Sequence, residues 1–355
     1  MRIVPFETIE TEIVGTCPLC GSLGLKLYDT LHDLVFKAPG KWSFMQCSAL
    51  ECQLLWLSQR PTAAELHKAY RAYYTHDDGE LRKRKGLRLF LSGCKRAFVK
   101  SYIECRFGYI QAGKVRAFLV ELLASLLPAG SDSLAVEGMF LPAIDQPRRL
   151  IEVGCGNGNM LKLMRELGWQ VEGLEYDATC IKLVETQGVR CSLGDIREQQ
   201  YPSESFNAMY TGNVIEHVND PGSFVKECSR VLKPGGYFVV LTPNAASLGH
   251  RHFNRDWRGL EPPRHLQIFN LKNLSKLVTD YGFELQVART TNRGAWYILG
   301  MSASIRKARL FGTSTADSNV RLLSLRGIAR QLLGRLIQAF LSDRGEELLL
   351  IAIKK

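Results

Sequence analysis

The stretch Leu150-Ile151-Glu152-Val153-Gly154-Cys155-Gly156-Asn157-Gly158-Asn159 sets three glycines at alternate positions between a short apolar run and a helical pattern, MLKLMRELG. Glycines at such a strand-to-helix turn let the backbone reverse sharply and approach a ligand beside a helix N-terminus. The spacing is G-x-G-x-G rather than the G-x-G-x-x-G of dinucleotide folds, and Glu152 stands two residues before the first glycine. A carboxylate there suits a bound ammonium and would repel a pyrophosphate. Two further acids end the next apolar runs. Glu175, in VEGLEYD, lies where a carboxylate can accept both hydroxyls of a ribose. Asp195, in LGDI, lies where an adenine amino group would need an acceptor.

A second constellation is made of thiols. Cys17-Pro-Leu-Cys20-Gly21 is a C-x2-C pair, and Cys47 and Cys52 follow as a C-x4-C pair. Two cysteines two residues apart form a knuckle whose thiolates converge on one tetrahedral ion, and Gly21 lets the turn close. Structural Zn2+ is the expectation, since four thiolates leave no open position for catalysis. Unliganded buried cysteines and a redox pair are the alternatives. Cys94, Cys105, Cys155, Cys180, Cys191 and Cys228 are scattered, and core packing is expected of each.

These groups must be positioned by a framework that the rest of the 355 residues supplies. From Arg149 onward short apolar runs alternate with helical patterns, which argues for βαβ units and a mainly parallel sheet. Strands are expected at 149–153, 170–175, 189–193, 205–211, 236–242, 283–289 and 347–353. Before them, 1–60 reads as a cysteine-bearing zinc module. Residues 61–147 read as helices (AAELHKAYRAYY, VRAFLVELLASLL) with a connector at 128–147. The sheet core would occupy 148–290, a basic helical insertion 291–345 and the closing strand 346–355. On a helical wheel Leu322, Leu325, Ile328, Ala329, Leu332, Leu336 and Phe340 share one side, while Arg330, Gln331, Arg335 and Gln338 share the other.

The net charge of +11 is concentrated in two blocks, Arg82 to Arg116 and Arg293 to Arg335. Such blocks commonly face phosphate, although a solvated helix face is the plainer reading. No run approaches about 18 consecutive apolar residues, so no membrane-spanning helix is expected. MRIVPFETIETEIVG has no apolar core and carries acids, so a secretory leader is not expected and a cytoplasmic location is.

EVGCGNG, LEYD, GDI, NVIEHV and LKPGGYFVV, in this order and spacing, resemble the class I S-adenosylmethionine-dependent methyltransferases over residues 149–290. The resemblance implies an α/β fold with a Rossmann-like seven-stranded sheet and S-adenosyl-L-methionine as cofactor. It implies that Glu152 meets the methionine ammonium and that Gly154, Cys155, Gly156 and Gly158 pass under the cofactor. Glu175 would hold the ribose with Tyr176 beside the adenine, Asp195 and Ile196 would flank the adenine, and Asn213 would lie near the methionine end. CPLCG, the second cysteine pair and EPPRHL are similar to bacterial methyltransferases with an N-terminal zinc module, many of them linked to glycan biosynthesis. That group usually spaces its second pair by two, from which Cys47 and Cys52 depart.

Methylating a hydroxyl needs a base, and His265 and His217 are the candidates, near neutral pH being within reach of an imidazole. His265 is expected either as general base or acceptor contact, or as a loop anchor; His217 is the better candidate for a structural hydrogen bond. Arg264 is expected to grip an anionic acceptor. The acceptor is expected to be a sugar, a glycan intermediate or a related small molecule, a lipid-linked one included. The basic blocks would then rest on an anionic membrane at its inner face. The competing expectations are an RNA methyltransferase whose zinc module and basic helices hold phosphates, and a non-catalytic scaffold. Nucleic acid is the less favoured partner, because the zinc module has few lysines and no interleaved aromatics. Nothing in the sequence fixes the oligomeric state.

Overall fold

The computed structural model describes residues 8–62, 64–70, 87–127, 130–313, 315–317, 324–340 and 342–355. In chain order its strands are β1 (Thr11–Ile13), β2 (Gly24–Leu31), β3 (Trp42–Cys47), β4 (Leu55–Leu57), β5 (Gln59–Pro61), β6 (Arg149–Val153), β7 (Gln170–Glu175), β8 (Arg190–Leu193), β9 (Phe206–Gly212), β10 (Leu232–Pro243), β11 (Gln267–Ile268), β12 (Phe283–Thr291) and β13 (Glu347–Lys354). The helices are α1 (Leu87–Arg106), α2 (Lys114–Leu126), α3 (Asp132–Ala135), α4 (Asn159–Glu166), α5 (Ala178–Thr186), α6 (Pro221–Val231), α7 (Leu248–Phe253), α8 (Leu271–Asp280), α9 (Ala295–Phe311) and α10 (Leu325–Phe340).

The seven expected strands are present and form one Rossmann-like sheet in the order β12-β13-β10-β9-β6-β7-β8. β6 pairs in parallel with β7 and β9, and β7 with β8. Their apolar runs are continuous because both faces are covered: Leu150, Ile151, Ala208, Met209, Val239 and Val240 are all fully buried. The chain packs as two compact units, Met1–Tyr74 with Asn213–Lys226 and Val240–Leu350, and Thr75–Gly212 with Glu227–Val239 and Ile351–Lys355. This grouping places the cysteine-bearing segment with residues far along the chain. β2, β3 and β4 form a second sheet that β11 completes by pairing antiparallel with β4. Trp42, Phe44, Leu55 and Leu57 share a core with Trp257, Leu260, Leu266 and Ile268.

Two expectations meet a different structure, and a third element shows which of its sides is covered. The connector at 128–147 is packed rather than loose where it is described. SLAVEGMFLP folds into α3 and a 3-10 turn, and Met139 and Leu141 are fully buried. AAELHKAYRAYY is a 3-10 turn at Leu66–Tyr70; Ala63 and 71–74 lie outside the described residues, as do Arg82 to Lys85 of the first basic block and Arg321 and Leu322 of the second. In α10 the leucine side of the wheel is the exposed one. Gln331 is fully buried, donating to Asn292 O (2.7 Å) and accepting from Trp296 N–H (3.0 Å), whereas Leu325, Leu332, Leu333 and Leu336 are exposed. The physical reason is close approach, for Gly334 lies so near α9 that a Cβ there would meet Ala295 Cβ at 2.9 Å. Leucines could not fit on that side.

Candidate functional site

The unit that carries β6 to β9 brings most of the expected cofactor residues together. β6 ends at Val153, and Gly154 (φ 76°) and Gly156 (φ 51°) turn the chain in left-handed conformations that favour glycine. A Cβ on Gly156 would meet no atom within 4 Å, so the loop faces open space there. Gly158 has another duty: its Cβ would strike Val184 Cγ2 at 2.9 Å, so the glycine lets α4 start against α5. Cys155 is buried with its Sγ 3.5 Å from Cys191 Sγ.

Glu175, at the end of β7, accepts from Gly156 N–H (2.7 Å) through Oε2 and from Tyr176 N–H (2.8 Å) and Asp177 N–H (3.3 Å) through Oε1. It fixes the loop and keeps acceptor capacity for a further donor. Glu152 is buried, and its Oε2 has no hydrogen-bond partner. Burial, reinforced by the charge of Glu175, raises its pKa well above the ordinary carboxylate value. A buried carboxylate without a donor calls for a cation.

Asp195 is more heavily engaged than a waiting adenine acceptor. It accepts from Tyr176 Oη (3.0 Å), from the Arg197 side chain (2.8 and 2.6 Å) and from Arg197 N–H (2.9 Å). Burial opposes its charge, but the hydrogen bonds and charge of Arg197 leave its pKa below the ordinary value. The same carboxylate caps the turn Ile196–Glu198, with Ile196 fully buried and Tyr176 exposed beside it.

The other unit holds the thiols and the histidines. Cys17 Sγ lies 3.7 Å from Cys52 Sγ, and Cys20 Sγ lies 3.4 Å from Cys47 Sγ, with all four within 4.8 Å. Four sulfurs about 2.3 Å from one zinc would sit about 3.8 Å apart, so the set fits the ion. Gly21 (φ 72°) closes the first knuckle. The longer C-x4-C spacing works because Cys52 and Gln53 both donate to Ala49 O (3.0 Å each), which folds the second pair back on itself.

Asn213 follows β9 in a left-handed conformation (φ 55°) and donates to Leu241 O at 2.8 Å. His217 lies in the 3-10 turn Ile215–His217 rather than at the head of a helix. Its Nδ1 is 2.9 Å from Arg264 O and 3.0 Å from Tyr70 Oη. His265 is buried, with Nδ1 2.7 Å from Gly259 O, and its ring meets that of His217 edge-on at 4.8 Å. Burial lowers the pKa of both, His265 to about 3, so each is neutral at physiological pH.

Arg264 does not face an acceptor. It is wholly buried, donating to Glu261 (2.9 Å), Asp33 (2.8 Å) and Ala69 O (2.8 Å). Burial works against the charge of Glu261, yet the guanidiniums of Arg258 and Arg264 hold its carboxyl well below the usual range. Sequence reasoning passed over Glu216, beside His217. It is fully buried, accepts from Thr242 Oγ1 (2.8 Å), and is raised by burial to about 8. The signal was the Glu-His dipeptide just past a strand end, followed by a second histidine in a proline-fixed loop.

Residues 131–287 match the family model described as a methyltransferase domain. A probable S-adenosylmethionine-dependent methyltransferase of Mycolicibacterium smegmatis is 34% identical over 143 residues, 39% of this chain and 53% of that protein. A ubiquinone biosynthesis O-methyltransferase of a Caulobacter species is 30% identical over 142 residues, 34% of this chain and 56% of that protein. The chain thus spans about half the length of these relatives. A crystal structure of an S-adenosylmethionine-dependent methyltransferase from Mesorhizobium loti aligns with 64% of this chain and 100% of that one, at 17% identity and a TM-score of 0.44.

Proposed function

We propose that this chain, whose residues 131–287 match a methyltransferase domain, transfers the methyl group of S-adenosyl-L-methionine to a hydroxyl of a sugar, a glycan intermediate or a related small molecule. The observation that carries the reading is the buried Glu152 carboxylate, with Oε2 unpartnered, beneath a glycine loop that faces open space at Gly156. When bound, the cofactor supplies a methyl group already activated on a sulfonium, so the protein mainly aligns and desolvates. Glu152 would meet the cofactor's ammonium, Glu175 its ribose, and Tyr176 with Asp195 and Ile196 its adenine. Asn213 would lie toward the methionine end. The acceptor hydroxyl must give up its proton as its oxygen attacks, and we assign that duty to the paired imidazoles of His217 and His265. The four cysteines would hold a structural Zn2+ that fixes the β2–β3–β4 sheet.

The acceptor is sought among lipid-linked molecules first, with the protein working in the cytoplasm and peripherally at the membrane. Two helices support this. α2 exposes Val115, Phe118, Leu119, Leu122, Leu123 and Leu126, and α10 exposes leucines beside Arg326, Arg330 and Arg335. Among the described residues no helix is long and apolar enough to cross a membrane.

Incubating the full chain with methyl-labelled cofactor and a cell extract, then separating lipid, RNA, protein and small-soluble fractions, tests the reading. Label in the lipid or soluble-sugar fraction is expected. Label confined to RNA or protein would refute the assigned acceptor class, and no label, with no cofactor binding, would refute methyl transfer.

A further inference from the structure

Glu216, His217 and His265 bring three donor groups within 4.8 Å of one another, away from the cysteine cluster in sequence and different from it in chemistry. Each Nδ1 faces a main-chain carbonyl, Arg264 O at 2.9 Å and Gly259 O at 2.7 Å. A carbonyl can only accept, so both imidazoles carry their proton on Nδ1 and a lone pair on Nε2. No hydrogen-bond donor reaches either Nε2 among the described residues. On His265 that lone pair faces Glu261 Oε2 at 3.5 Å, one acceptor against another. Glu216 adds a third group, its buried Oε1 having no partner while Oε2 accepts from Thr242 Oγ1. Buried polar atoms left without partners are costly, and a cation joining them would relieve that cost.

We infer that Glu216, His217 and His265 bind a divalent transition-metal ion of the zinc, iron or manganese class, as a second metal site separate from the four cysteines. Two imidazoles and a carboxylate are the donor set such ions take when a coordination position stays open. The carbonyl behind each imidazole and the hydroxyl behind the carboxylate are the outer contacts that aim metal ligands. The segments carrying the ligands are tied together: Leu266 N–H donates to Glu216 O (2.8 Å), and Gln267 Nε2 donates to Ile215 O (2.9 Å) and Val218 O (2.6 Å). Glu261 is not a fourth ligand, being paired with Arg258 and Arg264. The two arginines and the carboxylates Glu261 and Asp33 balance in charge, so a cation meets no net repulsion from them. Side-chain closure of about 1 Å would bring the donors to bonding distance from one ion. An ion held on the Nε2 lone pairs would take both imidazoles out of the base role assigned to them above, so the ion-loaded and base-competent forms exclude one another. The base role rests on the proposed function; the binding of the ion does not.

Mn2+ tests the site directly, since thiolates compete poorly for it. The full chain, with zinc in its cysteine site, is titrated with Mn2+ and free ion is followed by electron paramagnetic resonance. One saturable Mn2+ per chain is expected, with binding weakened at least about tenfold in both Glu216→Gln and His217→Gln. Zinc content and thermal melting of the variants report whether they are folded, and either variant suffices should the other fail to fold. Absence of saturable binding by Mn2+ and by Co2+, or unchanged affinity in a folded variant, would overturn the inference.

Discussion

Among single residues, Glu152 has the most to lose and the most to report. Its pKa is raised above the unfolded value of 4.5, chiefly by burial. Below that value both states are protonated and no penalty exists; as pH climbs toward the folded pKa, the unfolded state ionises first and stability falls. Glu152→Gln should therefore leave the melting temperature unchanged near pH 4 and raise it by roughly 3 °C at pH 8. In calorimetry, cofactor binding to the wild-type chain should release a proton from Glu152, seen as a buffer-dependent enthalpy that the variant lacks. Arg264 makes the opposite case. Removing it in Arg264→Ala leaves the buried Asp33 without this counter-ion and Glu261 with Arg258 alone, and urea denaturation should show a loss of about 3–5 kcal/mol. The glycine loop, Glu152 and Glu175 were legible because strand, turn and helix are adjacent in sequence. The burial of Arg264 was not, since its partners come from Asp33 and Ala69, far away in the chain.

For the elements, the sheet strands could be read to within a few residues because their apolar runs are continuous. The two-residue β11 could not, having no periodicity to show and existing only by pairing with β4. The wheel of α10 grouped its leucines correctly but left open which side is covered. Amphipathicity tells which residues share a face, not which face is covered, and here Gly327, Gln331 and Gly334 are the buried stripe. Gly334→Val should cost about 2 kcal/mol through overpacking against Ala295, despite valine's better helix propensity, and denaturant titration would show it. At the cysteine knuckles, Cys47→Ser should remove one zinc per chain and lower the melting temperature, because Cys47 ends β3 beside the buried Trp42–Phe44 core.

Across the whole molecule, the excess of positive charge and the exposed leucines of α10 bear on location. The full chain should float with anionic vesicles at low salt and be released near about 0.5 M salt, where screening shortens to a few ångströms. Leu332→Ser with Leu336→Ser should weaken flotation without altering cofactor binding. The match to a methyltransferase domain was anticipated by five short motifs, whereas the two-unit packing was not, since it joins residues 1–74 to segments beyond 212. The measurement closest to the central claim is equilibrium binding of S-adenosyl-L-methionine to the full chain and to Glu152→Gln. Saturable binding of one cofactor per chain, weakened at least about tenfold in the variant (about 1.4 kcal/mol), is the result expected. No binding at millimolar cofactor, or equal affinity in the two proteins, would contradict it.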